Sequence, residues 1–264
     1  MPTEALVPHA FFGSTALPIL QILMQLVSLT IIRYKKRFVP FAILAMALFH
    51  FPLWFNKRIS FYKLMGSGKN GTFDKSPDWQ QWAILTVQPM RDMHAEPTHD
   101  DYSIKELLGG FITGWLRFFK CETYNLLMEA IESHGFWDGK KAFGNLPAKS
   151  AYEGRVAILT RATIRLNKLS YFWENVAPVA SEMRVAKGFL FSAGVGEVPW
   201  IKQATFSVWN SKEDMKAFAY GMKVHTEVIQ KTRQQNWYSE DMFTRFRIIR
   251  TSGTLRGINP LGNF

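Results

Sequence analysis

The second half of this chain repeats the order of its first. Leu29-Thr30-Ile31-Ile32-Arg33 precedes an apolar helical stretch, then Phe61-Tyr62-Lys63-Leu64-Met65-Gly66-Ser67-Gly68, then Trp82-Ala83-Ile84-Leu85-Thr86-Val87. Further on, Arg161-Ala162-Thr163-Ile164-Arg165 precedes a helical stretch from Leu169, then Phe189-Leu190-Phe191-Ser192-Ala193-Gly194-Val195-Gly196, then Gln203-Ala204-Thr205-Phe206-Ser207-Val208-Trp209. A helical segment follows in each half, 104–119 and 212–233, and then a closing strand, 124–131 and 243–249. A repeat at this scale settles an architecture before any local pattern is weighed.

Each half therefore reads βαββαβ, the ferredoxin-like order, whose antiparallel sheet carries helices on one face and leaves the other to be covered. Two such sheets cover each other by closing a barrel. The expected fold is α+β: two tandem ferredoxin-like repeats in one chain forming an intrachain dimeric α/β barrel. The boundaries expected are an apolar N-terminal extension over 1–26, a first repeat over 27–137, a linker over 138–155 and a second repeat over 156–264. The linker is rich in Gly, Lys, Ala and Pro and carries neither hydrophobic period.

Two uncharged stretches raise the question of a membrane. Residues 11–32 are free of charge for 22 positions and 38–55 for 18, lengths that reach a bilayer span. A simple hairpin would put Lys35, Lys36 and Arg37 on one side and Lys57 and Arg58 on the other, against the positive-inside bias. The repeat makes 27–32 a strand, so 11–32 is a helix leading into a strand and not a span. For 38–55, apolar on nearly every side, spanning, burial and surface insertion all stay open. With 32 Lys and Arg against 21 Asp and Glu, a net charge of +11 and a pI near 9.7, anionic surroundings such as lipid headgroups are favoured. The single cysteine, Cys121, suits a reducing compartment. No basic residue precedes the first apolar run, unlike a secretory leader, and a cytoplasmic, peripherally membrane-associated protein is expected.

Few side chains stand out as chemistry. Phe218, Met222, His225 and Ile229 recur on one helical face, so the His225 imidazole should face the sheet, either as a core residue or as the neutral ligand a haem needs. Arg161 shares a pleat face with Ala157, Leu159 and Thr163 and is either solvated or a donor to a bound oxyanion, peroxide or propionate. The pairs Gly66/Gly68 and Gly194/Gly196 lack the phosphate-loop spacing, and turn glycines are expected there. Residues 92–101 have metal-binding composition in a Pro-broken acidic loop and read as a solvated loop. Cys121 reads as an inert thiol. An RNA-binding sheet is set aside, because the basic-Gly-aromatic run expected on the third strand is missing from Trp200-Ile201-Lys202-Gln203-Ala204-Thr205-Phe206.

Taken together, these motifs carry a family resemblance. Leu159-Thr160-Arg161-Ala162-Thr163 with Phe172-Trp173, Gly194-Val195-Gly196-Glu197-Val198-Pro199, the run from Gln203 to Trp209, His225, Asn236-Trp237, Arg245-Phe246-Arg247 and Pro260-Leu261 stand in the order of the spheroidene monooxygenase family. Phe61-Tyr62-Lys63-Leu64 and Gly135-Phe136-Trp137-Asp138-Gly139 resemble it in the first half. The resemblance spans roughly 28–261. It implies a haem-dependent monooxygenase that oxidises the C-2 end of an acyclic carotenoid with O2 and electrons from reduced ferredoxin. By the same resemblance His225 is the iron ligand, with Phe206, Met222 and Ile229 against the cofactor; since 104–119, the equivalent helical segment of the first half, contains no histidine, one haem per chain is expected. Arg161 and Gln203 are the expected donors near bound oxygen, and 38–55 is expected to dip into the membrane and open a route for the polyene. Two other readings share parts of this pattern: another haem-barrel enzyme of dehydratase or peroxidase type, recognisable by turnover without reductant, and a non-catalytic membrane-associated binding module.

Overall fold

A computed structural model of the protein describes residues 25–69, 74–89, 102–221, 228, 230–232 and 234–262. Four strands come from each half: β1 (Gln25–Arg33), β2 (Phe61–Gly68), β3 (Pro77–Pro89) and β4 (Glu122–Gly135), then β5 (Val156–Ile164), β6 (Phe189–Val198), β7 (Lys202–Trp209) and β8 (Tyr238–Gly253). They close one barrel in the order β1-β3-β2-β6-β7-β5-β8-β4, every pairing antiparallel. Each half contributes the 4-1-3-2 sheet of a ferredoxin-like unit, so the expected tandem barrel is what forms.

Period-two alternation sorts the side chains of every strand. Val27, Leu29, Ile31, Leu85, Leu126, Leu159, Phe206 and Phe246 fill the barrel interior in one apolar cluster. Their alternates face the helices. In the first half these are α1 (Val39–Leu48), α2 (His50–Phe55), α3 (Ile104–Leu108) and α4 (Gly110–Phe118); in the second, α5 (Leu169–Val185) and α6 (Lys212–Gly221). A short 3-10 turn, Lys36–Phe38 or Leu166–Lys168, leads into the first helix of each half.

The segment expected as one helix over 104–119 is two, parted at Gly109, whose φ of 85° ends α3. A capping box starts α3, the Ser103 hydroxyl accepting from the Glu106 amide. The linker is no free tether: Phe143 is buried in the barrel cluster, and Asp138 is held by Lys63 and Lys202.

The glycine pairs are corrected as well. They lie inside β2 and β6, where the halves join through Gly66 opposite Gly196 and Ser67 opposite Val195, and none has a positive φ. A Cβ on Gly196 would stand 2.9 Å from the Lys202 carbonyl oxygen and 2.8 Å from the Gln203 amide nitrogen. Glycine is needed there for close approach, not for a turn.

Candidate functional site

The two halves treat their outer sheet faces differently. In the first, the helices pack directly on the sheet, with Ala42, Ala45, Phe49, Leu53, Ile112 and Leu116 against Ile32, Ile84 and Leu127. In the second, Met183, Met215 and Phe218 pack on Val156, Ile158 and Trp209, and Phe172 and Trp173 on Ile164, yet α5 and α6 with β5, β7 and β8 also line a cavity of about 640 Å3, the size of a small-molecule or cofactor site.

Its walls follow from alternation. Ile158, Thr160 and Ala162 of β5 and Gln203, Thr205, Ser207 and Trp209 of β7 point outward into it; Phe172, Val179 and Met183 of α5 and Met215 and Phe218 of α6 face them. Val228 and Thr232 line the same space. A strand face packed under helices should be apolar, and the run Gln203, Thr205, Ser207 is not. The Thr205 hydroxyl is buried with no partner, an uncompensated polar atom of the kind a ligand satisfies.

One end of the cavity is charged. Glu132 of β4, 3% exposed, accepts from Lys212 Nζ at 2.8 Å and the Ser150 amide at 2.7 Å, and pairs with Arg245. Burial alone would raise the Glu132 carboxyl, but Lys212, the Ser150 amide and Arg245 outweigh it and hold it below the usual range. Two cations share this one buried carboxylate, the Arg245 Nε has no partner, and Lys149 lines the cavity beside them. Burial pushes the Tyr238 phenol, which also lines the cavity, up to about 12.

The residues expected from the sequence divide among several places. Gln203 faces the cavity, its amide donating to the Val198 carbonyl at 3.2 Å. Phe206 does not: it is an odd step away on β7 and points into the barrel interior, so its expected haem contact is corrected. Arg161 pairs across the sheet with Ala204, an inner-face position. It borders the cavity, but its guanidinium turns the other way, pairing with Glu240, with Asp138 at 3.3 Å and with Glu197 at 3.7 Å, and lying 5.7 Å from the Trp137 ring. It is a paired cation in a charged cluster at the barrel's end. In that cluster burial opposes ionisation of Asp138, yet Lys202 and Lys63 hold its carboxyl at about 2.

His225, Met222 and Ile229 lie outside the described residues, as do 92–101 of the acidic loop. In sequence His225 falls between two groups that line the cavity, Phe218 to Tyr220 and Val228 with Thr232. Cys121 lies in the first half against the helix-side cluster there, and burial pushes its thiol up to about 12, an inert form. Among the described residues no group of three or more His, Cys, Asp or Glu is placed to hold a metal ion. Lys212, Glu132 and Arg245 escaped the sequence reading because three separate strands and helices bring them together. Thr205 had left a signal in the polar alternation of β7.

The donor set fits a haem. A flat macrocycle with two carboxylates needs greasy walls, cations at one end and an axial base; the apolar faces of α5 and α6 and the Lys212, Arg245 and Lys149 end supply the first two. The charged end is where the two carboxylates of such a group would be held, and the unpartnered Thr205 hydroxyl is a donor toward the interior of the site.

No protein-family model matches the sequence. The spheroidene monooxygenase of Rhodobacter capsulatus is 32% identical over 248 residues, covering 91% of this chain and 97% of the relative. That of Cereibacter sphaeroides is 33% identical over 207 residues, covering 78% of this chain and 60% of the relative. Among solved structures, an aldoxime dehydratase in complex with butyraldoxime superposes with a TM-score of 0.54 at 11% identity, covering 86% of this chain and 80% of that one. This last likeness is one of fold.

Proposed function

Because the chain belongs to the spheroidene monooxygenase family, we propose that it is a haem-dependent monooxygenase that oxidises one end of an acyclic carotenoid, drawing electrons from a reduced ferredoxin. The observation that carries the reading is the second-half cavity: about 640 Å3, apolar on its helix side, cationic at one end and holding an orphaned hydroxyl on its strand side. Its counterpart in the first half is filled by side chains, which supports one cofactor per chain.

Haem, when bound, would supply the oxygen activation and electron transfer that no protein side chain performs. The chain's own residues do the rest. Lys212 and Arg245 would hold and orient the haem carboxylates, helped by Glu132, which keeps the two cations together without neutralising both. Phe172, Val179, Met183, Met215 and Phe218 exclude water, so that polar donors inside act at low dielectric. The Thr205 hydroxyl and the Gln203 amide stand on one strand face and offer hydrogen bonds to polar atoms bound there. His225 is the residue of the proposal that would hold the iron, and a carotenoid substrate favours an enzyme attached to the membrane surface on the cytoplasmic side.

Two measurements test the reading. Protein purified with haem precursor supplied should show a Soret band that shifts on reduction under CO, and His225→Ala should lose or displace it. Incubation with an acyclic carotenoid, O2 and reduced ferredoxin should give a product heavier by one oxygen atom, or by the mass of a carbonyl replacing a methylene. A native protein without a Soret band refutes the haem assignment. Turnover that proceeds without any reductant points to dehydration or peroxidation on the same barrel.

A further inference from the structure

The first half carries a surface that the cavity does not use. Along α1 and α2 the inward positions Ala42, Ala45, Phe49 and Leu53 follow the helical period and pack on the sheet. The outward side is equally apolar: Phe41 is 42% exposed, Phe51 60%, Trp54 75% and Phe55 75%, and Phe111 and Phe118 of α4 are 55% and 79% exposed. Ring contacts join the helices into one face, Phe41 to Phe119 at 4.8 Å, Phe119 to Phe118 at 4.9 Å and Phe49 to Phe111 at 6.4 Å between centroids. An apolar area of this extent on a protein surface marks a contact with something else.

Charge selects the partner. Residues 35–58 and 109–120, which supply this face and its flanks, contain Lys35, Lys36, Arg37, Lys57, Arg58, Arg117 and Lys120 and no Asp or Glu, and all seven cations are exposed. Glu106 of α3 lies beside Arg58 and Gly110, so the described rim is predominantly and not solely cationic, and a greasy centre with such a rim matches the boundary between acyl chains and anionic headgroups.

Geometry then decides between spanning and lying flat. Lys36–Phe55 is long and apolar enough to cross a bilayer, about 30 Å of helix. It is, however, two helices meeting at Phe49, and its inner face is part of the first-half core. Crossing would strip Ile32, Ile84 and Leu127 of their cover. Lying in the plane of the interface keeps that core closed and brings the cations at both ends of the helix to the same headgroup layer, which removes the conflict with the positive-inside bias.

We propose that the outer face of α1, α2 and α4 is a monotopic dock for an anionic bilayer surface, its aromatic side chains entering the acyl boundary and its seven cations meeting lipid phosphates. The proposal rests on the functional reading only in that a carotenoid is dissolved in lipid. It also revises the expectation that 38–55 opens the substrate route: the dock lies on the first half-sheet and the cavity on the second, so the dock holds the enzyme at the membrane without forming the cavity wall.

The test is flotation of the full chain with vesicles of phosphatidylglycerol and phosphatidylcholine, against vesicles of phosphatidylcholine alone, at 0.1 M and 1 M KCl. The native protein should float with the anionic vesicles and less so in 1 M salt, where the screening length falls from about 10 Å to 3 Å. Trp54→Ser with Phe55→Ser should weaken binding by about tenfold or more, and Lys57→Gln with Arg58→Gln should abolish most of the preference for anionic lipid. Quenching by brominated acyl chains should be stronger in the native protein than in Trp54→Phe, which tolerates the fold because the site is exposed. No flotation of the native protein, or flotation of both double variants equal to that of the native protein, overturns the proposal. So does a dimer in solution that Trp54→Ser with Phe55→Ser dissolves, since that would assign the face to a second copy of the chain. The Soret band and turnover in detergent report separately on the functional reading: intact there with no flotation, the dock alone is refuted.

Discussion

Glu132 holds the charged end of the cavity together, and its removal gives the sharpest prediction. The carboxylate is 3% exposed and is bound by Lys212, 12% exposed, and Arg245, 11% exposed, so solvent does little to screen the three. Glu132→Leu leaves two nearly buried cations facing each other without a counter-charge, and the Ser150 amide loses its acceptor. Removing one partner of a buried pair in this way costs about 3–5 kcal/mol. At the lower figure the melting temperature of a chain this size should fall by roughly 6–12 °C. Calorimetry on Glu132→Leu, on Arg245→Met with Lys212→Met, and on all three together separates the causes. If uncompensated charge is responsible, the triple variant should recover to within about 1 kcal/mol of the native protein. Haemin should also restore part of the loss in Glu132→Leu, because its carboxylates give the same cations new partners. A loss under about 1 kcal/mol in the single variant, or a triple variant less stable than the single, refutes the argument.

Other expectations follow from the same structure. Thr205→Val should stabilise the haem-free protein by about 1 kcal/mol in a denaturant melt, since it removes a buried hydroxyl without a partner, while weakening retention of the ligand that uses that donor. Gly196→Val should cost about 1–3 kcal/mol through its clash with the Lys202 carbonyl, whereas Gly66→Ala, whose nearest neighbour would be 3.7 Å away, should melt close to the native temperature. Asp138, Glu132 and Glu240 all have carboxyls held below their ordinary values by neighbouring cations and amides. Their contribution is therefore complete above the unfolded carboxylate values and is lost as protons bind the folded state, so an acid titration should show stability falling from about pH 4.5 toward pH 2. A pH-independent melt across that window would refute it.

Repeat order and period-two alternation were enough to place eight strands, because each depends only on which residues are apolar and how far apart they stand. Alternation also assigned Ala157, Leu159 and Arg161 to one face. It left open which face lies inside a barrel, and so Phe206 was given to the wrong side. The glycine pairs read as turns, since sequence does not reveal that they lie inside strands where the halves join, with Gly196 against the Lys202 carbonyl of β7. Glu132, Lys212 and Arg245 are about 30 to 110 positions apart in the chain, and Asp138, Glu197 and Glu240 are equally scattered, so only closure of the barrel could show that Arg161 is held by carboxylates while Arg245 reaches the cavity. The composition of 38–55 determined that its surface would be greasy all round. Whether it spans, sinks or lies flat was decided by the packing of Ala42, Ala45, Phe49 and Leu53 on the sheet, because a helix anchored along one side presents its other side to whatever lies outside.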